Sequence, residues 1–569
     1  MIGRVGRELR SLGGLALVSL ASAVALVVFA LVPLGVLLGR AVVEPDGSLG
    51  LGSFAAVLGD AATWSVVGTT LLVAAGTSLC TVLLGVPAAW LLARSDVPHQ
   101  GILRTALSMP YAIPPYVMAI GWITLLNPRS GLVSTTLAEL TGLGPVNIYS
   151  AWGMILVLGF SYFPLVMLQT WSALMAMDPS LEEAARTSGA RPLRVVFEVT
   201  LPLALPAIAS GALLTFLIGM ASFGVPYLVG HPGHIEVLTT SIYNAIDVGT
   251  DEALSRAVAL AALLGSVAAL ALWGNRLLVR RGRALQGGKA GRPSRVALGR
   301  WRLVAAGGLW GLVVVALVVP LTTIFATSLL GSWGRGFAWA NVSAVNYTTV
   351  FADERTLGAI WTSVSLAATA ATVCVIVGGV ASYMRSRTGL PGRRALPFLA
   401  ELPYAIPGTV LAMGLLLAFS QEIWIGLRDV AYVRIVLLNT GWLLLIAYCV
   451  KYLAFGVRSA DAALTRIDPS LEEAARTSGA SPLKVVTSIV APMLRPSLVA
   501  AWVLVFLPAL GEITMSILLF GPQTRTLGVL LFDYQSYESP PKAAVLASLL
   551  AAAVLAGNLV VKLRRGDEA

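Results

Sequence analysis

The chain is divided into about twelve uninterrupted apolar runs of about 20 to 28 residues, and this division constrains its fold more than any other feature. At about 1.5 Å rise per residue, each run is long enough to cross a hydrocarbon core of about 30 Å. The runs lie near 14–38, 65–92, 105–126, 151–172, 203–228 and 256–279, then 303–329, 359–384, 395–419, 435–457, 497–520 and 542–561. They are continuous and do not alternate apolar with polar residues, which excludes a closed β-barrel. The expected fold class is an all-α integral membrane protein with about 12 transmembrane helices. Hydrophobic residues make up 57% of the 569 and charged residues 12%, so little chain is left for a soluble catalytic domain.

The first run follows the basic start MIGRVGRELR and extends from Ser11 to Gly39. That is about twice the length of a signal-peptide core, so it is read as a first membrane helix. With the N-terminus placed in the cytoplasm, nine of the 39 Lys and Arg residues fall outside and the other 30 inside. Acidic residues show no such bias: of 28, 12 fall inside, 14 outside, and Glu401 and Glu512 within spans. This is the positive-inside pattern, and it predicts that both termini are cytoplasmic. It also accounts for the net charge of +11, so no nucleic-acid partner is needed.

An internal repeat organises the runs. Residues 178–190 read DPSLEEAARTSGA, and residues 468–480 read the same thirteen letters at a spacing of 290. Pro110-Tyr111-Ala112-Ile113-Pro114 recurs as Pro403-Tyr404-Ala405-Ile406-Pro407 at a spacing of 293. The chain is therefore two homologous six-span halves. Six is even, so both insert the same way up, related by a pseudo-two-fold axis along the membrane normal. The expected division is a first module at 1–280, a basic, Gly-rich cytoplasmic linker at 281–301, and a second module at 302–569.

Both copies of the repeated segment fall between the fourth and fifth spans of their half, on the cytoplasmic side. Asp178 is a good N-cap, Pro179 suits the first helical position, and Glu182 and Glu183 favour the positive helix start. Glu182 and Arg186 are four apart and can pair, and Gly189 can end the helix in a left-handed turn. Pro192 then starts a second helix. Asp468, Pro469, Glu472, Arg476, Gly479 and Pro482 repeat the plan. Ala184, Ala185 and Gly189 leave a face of little bulk that a partner backbone can approach, and two such faces suggest a twofold partner.

This segment resembles the EAA loop of ABC importer permeases: E-A-A, three residues, G, nine residues, then I/V-x-L-P. Glu183-Ala184-Ala185, Gly189 and Val199-Thr200-Leu201-Pro202 fit fully. Glu473-Ala474-Ala475, Gly479 and Ile489-Val490-Ala491-Pro492 fit except that Ala491 replaces Leu. The resemblance covers nearly the whole chain as two fused permease modules. It implies that Glu183, Ala184, Ala185, Gly189, Glu473, Ala474, Ala475 and Gly479 lie in coupling helices docked on two copies of a cytoplasmic ATP-binding subunit. It also implies an external or periplasmic substrate-binding protein and a bacterial plasma membrane location. The chain has no G-x-x-x-x-G-K-[S/T] string; Gly287-Gly288-Lys289-Ala290 lacks the spacing and the hydroxyl. No cofactor is expected in it, with ATP and Mg on the partner, and it is not itself expected to be an enzyme. Ser222-Phe-Gly-Val-Pro226 through Gly230, Val237-Leu-Thr-Thr240, and Gly511-Glu512-Ile-Thr-Met515 followed by Leu527-Gly528-Val529 are similar to the fused ferric-iron group. Thiamine, polyamine and aminoethylphosphonate permeases share that architecture.

A secondary transporter is the alternative from another class, since six plus six spans suit it and Gly389-Leu-Pro-Gly-Arg393-Arg394 resembles a major-facilitator loop. That class has no need of a duplicated EAA loop. A membrane-embedded enzyme is disfavoured because no His/Asp/Glu cluster lies at one membrane depth. Glu401 and Glu512 are candidates for the substrate path, because burying an ionisable group in a span is costly. Hydrogen-bonded structural roles are equally open, and the 293 spacing puts Ser108 opposite Glu401. Pro110, Pro114, Pro115, Pro403 and Pro407 predict kinks. Gly and Ala in 209–224 permit close helix contact between halves. His231-Pro232-Gly233-His234 reads as a turn before a metal site. Cys80, Cys374 and Cys449 sit in apolar runs with no metal-ligand or disulfide spacing.

Overall fold

The computed structural model describes residues 13–43, 48, 50–142, 144–283, 295–389, 393–404, 406–420, 423–427 and 431–566. Among the described residues ten helices are long and apolar enough to cross a membrane, and two bent helix pairs bring the number to 12 if each pair is one span. The duplication in sequence is a duplication in structure. The helix Ala61–Arg94 and its counterpart Glu354–Arg387 both have 34 residues. Each starts at an aspartate N-cap: Asp60 accepts from the Ala62 N–H and Asp353 from the Arg355 N–H, both at 2.9 Å. At about 1.5 Å per residue such a helix is roughly 50 Å long, well beyond a 30 Å core. The excess carries Arg94 and Arg387, at the C-terminal ends, out to the side of the repeated loops.

The halves are interlocked. The first helical span of each, Leu17–Arg40 and Trp301–Ser328, carries a π-turn (Val27–Leu31 and Val314–Val318) followed by a proline, Pro33 or Pro320. Each packs on the opposite half. A methyl group on Gly121 would lie 2.6 Å from the Pro320 carbonyl oxygen, and one on Gly414 would lie 2.9 Å from the Pro33 carbonyl oxygen. The reciprocity is what a pseudo-two-fold axis requires. Glycine is needed at both places because two helix backbones touch there.

Two expected spans are not continuous. Gln100–Ala112 and Pro115–Leu126 meet at 93°, and Ala395–Tyr404 and Gly408–Phe419 meet at 107°. Pro114 and Pro115 each lack an N–H and disfavour helix at the preceding residue, and Pro407 does the same in the second half. Ile113 accordingly takes extended backbone, and Pro114 and Pro407, with ψ of 129° and 137°, leave the helical region. The runs 203–228 and 497–520 are displaced toward their N-terminal sides: continuous helix covers Pro192–Ala221 and Leu483–Leu510 and then gives way to irregular turns.

The all-α reading gains one addition, an antiparallel hairpin of Ile423–Leu427 and Ala431–Ile435 in the loop after the second bent pair. The linker expectation at 281–301 falls partly outside the described residues. Its described end is not free chain: the Val296 N–H donates to the Arg94 carbonyl (2.8 Å) and the Leu298 N–H to the Asp96 carboxylate (2.9 Å). The small residues of 209–224 serve mainly their own half. Gly211 faces Val166 and Gly219 faces Ala74, while Gly224 alone of the three reaches across, to Ile513.

Candidate functional site

The repeated loops fold as their capping chemistry dictates. Pro179–Thr187 and Pro469–Thr477 are nine-residue helices. Asp178 accepts from the Ser180 N–H at 3.0 Å and Asp468 from the Ser470 N–H at 2.9 Å. These bonds hold both carboxyls below the usual aspartate range. Gly189 and Gly479 have φ of +86° and +87°, the left-handed conformation that ends a helix at low cost only in glycine. The Ala190 and Ala480 N–H groups close the turns onto the Ala185 and Ala475 carbonyls, both at 3.0 Å. Glu183, Ala184, Glu473 and Ala474 are exposed, as are the two glycines, while Ala185 and Ala475 are half-buried. Leu181 and Leu193, and in the second copy Leu471 and Leu483, add exposed apolar area beside them.

The residue that anchors each loop is the glutamate before the E-A-A triplet. Glu182 is 1% and Glu472 3% exposed. Glu182 takes a hydrogen bond from Arg94 Nε (3.1 Å) and one from Thr200 Oγ1 (2.8 Å), with Arg186 Nη2 at 3.6 Å. Glu472 pairs with Arg387 Nε (3.0 Å), accepts from the Tyr383 hydroxyl (3.1 Å) and has Arg476 Nη2 at 3.7 Å. The expected four-residue Glu–Arg pairs are thus present, but each is one edge of a larger anchor. That anchor ties the loop helix to the overhanging end of the 34-residue helix. Arg94 and Arg387 share the 293 spacing, which is the signal that could have located them in the sequence.

Between the halves lies a cavity of about 1790 Å³. Its lining runs from Arg466 and Arg495, near the second loop helix, to Ile113, Pro114, Gly224, Gly511 and Thr514, where the helix breaks converge. A methyl group on Gly511 would sit 2.5 Å from Pro114 Cγ, and one on Gly224 2.7 Å from Tyr116 Cβ and 3.4 Å from Ile513. The breaks therefore close one end of the cavity by near contact. Lys451 Nζ donates to the Ile406 carbonyl at the second break (2.5 Å).

Both acidic candidates line this cavity and play different parts. Glu401 is half-exposed, with its carboxylate 3.8 Å from Arg458 Nε. Glu512 is 8% exposed and accepts from the Met515 N–H (2.9 Å), the Ser516 N–H (3.0 Å) and Ser516 Oγ (2.7 Å). It caps the short helix Ser516–Leu519, which favours the structural role for this residue. Beyond the closed end, Phe223, Tyr227 and Tyr243 of the first half pack on Phe532 of the second; Tyr227 and Phe532 have ring centroids 4.5 Å apart. His231 stacks on Tyr227 at 4.9 Å and His234 takes the left-handed turn conformation. Among the described residues no three His, Cys, Asp or Glu are grouped as a metal site requires.

A family model described as "Binding-protein-dependent transport system inner membrane component" matches residues 82–283 and again 375–564. The chain is similar to the ferric transport system permease protein FbpB of Actinobacillus pleuropneumoniae, 28% identical over 428 residues. That match covers 73% of this chain but spans only 59% of the relative's length. It is also similar to the probable ABC transporter permease protein y4fN of Sinorhizobium fredii, 28% identical over 85% of this chain and 84% of that one. A third relative is the putrescine transport system permease protein PotI of Escherichia coli K12, 29% identical over 42% of this chain and 86% of that one.

Proposed function

The chain belongs to the binding-protein-dependent transport system inner membrane components, and from that premise we propose that it is the transmembrane permease of an ATP-driven importer, with ferric iron as cargo. The observation that carries this reading is the pair of anchored loop helices, one per half, flanking one central cavity. An ATPase dimer on the cytoplasmic side docks one subunit on each helix, at Glu183, Ala184, Ala185 and Gly189 and at Glu473, Ala474, Ala475 and Gly479. ATP and Mg act on those subunits. The Glu182–Arg94 and Glu472–Arg387 anchors transmit their motion into the long helices. An external binding protein delivers cargo over the pseudo-two-fold axis, and both chain termini lie in the cytoplasm. Ferric iron is favoured by the similarity to FbpB across both modules.

The reading is tested by ATP-dependent uptake of ⁵⁵Fe in vesicles holding the permease, its co-purified ATPase and its binding protein. Uptake is expected to vanish without ATP or binding protein. Replacing Gly189 and Gly479 together by Trp is expected to leave insertion intact and to abolish stimulated ATP hydrolysis. Normal transport in that double variant would refute the coupling role. A different ligand on the co-purified binding protein would refute iron.

A further inference from the structure

The charged residues lining the cavity all come from the second half. Lys451, Arg458, Arg466 and Arg495 are basic, and Glu401 and Glu512 acidic. Under the repeat spacings their first-half counterparts are Ser161, Leu168, Ala176, Leu205, Ser108 and Ser222, none of them ionisable. Lys451 and Arg458 are seven residues apart on the helix Gly441–Leu464, two turns along one face, or about 10 Å. Arg466 follows just past its end, and Arg495 stands on the helix Ala491–Leu510. Glu401 is matched by Arg458, and Glu512 is occupied in capping. Among the described residues Arg466 and Arg495 have no acidic partner, and both are exposed. The formal sum of these six side chains is +2, four basic less two acidic.

The positive-inside rule does not account for this. That rule sets how many basic residues flank the spans, and the first-half loop meets it with Arg186, Arg191 and Arg194, but it does not say why only the second half turns basic residues onto the cavity. Nor does packing, since Arg466 and Arg495 are exposed and Arg458 stays about half-exposed beside Glu401 and the Tyr404 ring. A water-filled cleft with low-dielectric walls concentrates the potential of such a row and enriches ions of opposite sign. A bare ferric cation would be repelled along this wall.

We propose that the cavity is a one-walled anion path, and that the cargo crosses it carrying oxyanion groups with net negative charge. On the iron reading above, the ferric ion moves as a complex whose carboxylate or phosphate ligands outweigh its charge. Arg466 and Arg495 draw the complex toward the loop side, and Arg458 offers a planar pair of donors to its oxygens.

The test uses the full-length chain carrying Ser459→Cys on the cavity wall, with the slow background of the three native cysteines subtracted. The anionic thiol reagent methanethiosulfonate ethylsulfonate is compared with its cationic ethyltrimethylammonium analogue, each normalised to a free thiol. The expected result is a preference of about ten-fold for the anion, falling toward unity in Arg466→Gln/Arg495→Gln. Adding Leu168→Arg, on the facing wall, is expected to restore it. A preference for the cation, or one indifferent to these substitutions, would overturn the proposal. Uptake of ⁵⁵Fe supplied as ferric citrate is expected to fall and recover with the same ratio; recovery of the ratio without uptake would overturn the cargo assignment. Absence of ATP-dependent uptake in the unsubstituted protein, with the thiol preference intact, would instead defeat the importer reading alone.

Discussion

The two halves are alike where they meet the membrane and the loop face, and unlike where they meet the cavity. Asp60 and Asp353 cap helices of equal length, and Gly121 and Gly414 receive the opposite half's Pro320 and Pro33. The loop helices share thirteen residues, a cap and a left-handed glycine. At the positions matching Lys451, Arg458 and Glu512, which line the cavity, the first half has Ser161, Leu168 and Ser222. The scaffold obeys the twofold axis because the bilayer presents the same surface to both halves, and on the importer reading proposed above a pair of ATPase subunits would do the same at the loops. Cargo obeys no such symmetry, so fusion into one chain frees the two walls to differ.

The largest expected effect separates the two loop anchors. Glu182→Ala leaves Arg94 buried with no hydrogen-bond partner for any guanidinium nitrogen among the described residues, since its Nη1 and Nη2 already lack one. A stranded buried charge costs about 3–5 kcal/mol. Arg387 keeps bonds from Nη2 to the Leu464 and Ile467 carbonyls (3.2 and 2.6 Å), so Glu472→Ala is expected to cost less, about 1–3 kcal/mol. Thermal unfolding in detergent and recovery of the ATPase on purification both report the difference. Equal losses would mean the anchors are equivalent despite their different partners.

A smaller difference is expected where helices cross. Gly378 and Gly456 bring two backbones together in the second half, and a methyl on Gly456 would overlap the Cys374 carbonyl. The first half places Val166 at the position matching Gly456, with Gly85 opposite. Gly456→Ala is expected to destabilise by about 1–3 kcal/mol through overpacking, whereas Val166→Ala only opens a small void. An unchanged melting temperature for Gly456→Ala would show that the crossing can spread.

The smallest effect tests where the halves are the same. Asp178→Ala and Asp468→Ala are expected to weaken the loop helices slightly and equally. Both carboxyls titrate below the ordinary aspartate value of 3.8, so each cap is fully present above that value and is lost as the pH falls through the lower, folded one. Melting curves from pH 6 to 8 should therefore show a constant deficit in each variant with no pH dependence, and below pH 4 the variants should lose less than the parent. Unequal effects of the two substitutions would indicate that the loops differ through their surroundings.

The amino-acid sequence by itself determined the spans, their twofold repetition, the loop helices with their caps and glycine turns, and the family. These features rest on local rules: apolar length, capping residues and left-handed glycine act within a few neighbouring positions. The sequence also marked Glu401 and Glu512 by their rarity in apolar runs. Only the tertiary structure decided that both line one cavity, Glu512 holding the start of a short helix and Glu401 standing beside Arg458, because each carboxylate's partners come from the fold of the chain around it. The same holds for Glu182 and Arg94, 88 positions apart, which meet only because a 34-residue helix overhangs the bilayer. The breaks at Pro114 and Pro407 were readable as kinks, but not as the closed end of a cavity. That required four interrupted helices from two halves to converge, and long-range convergence leaves no trace in local spacing.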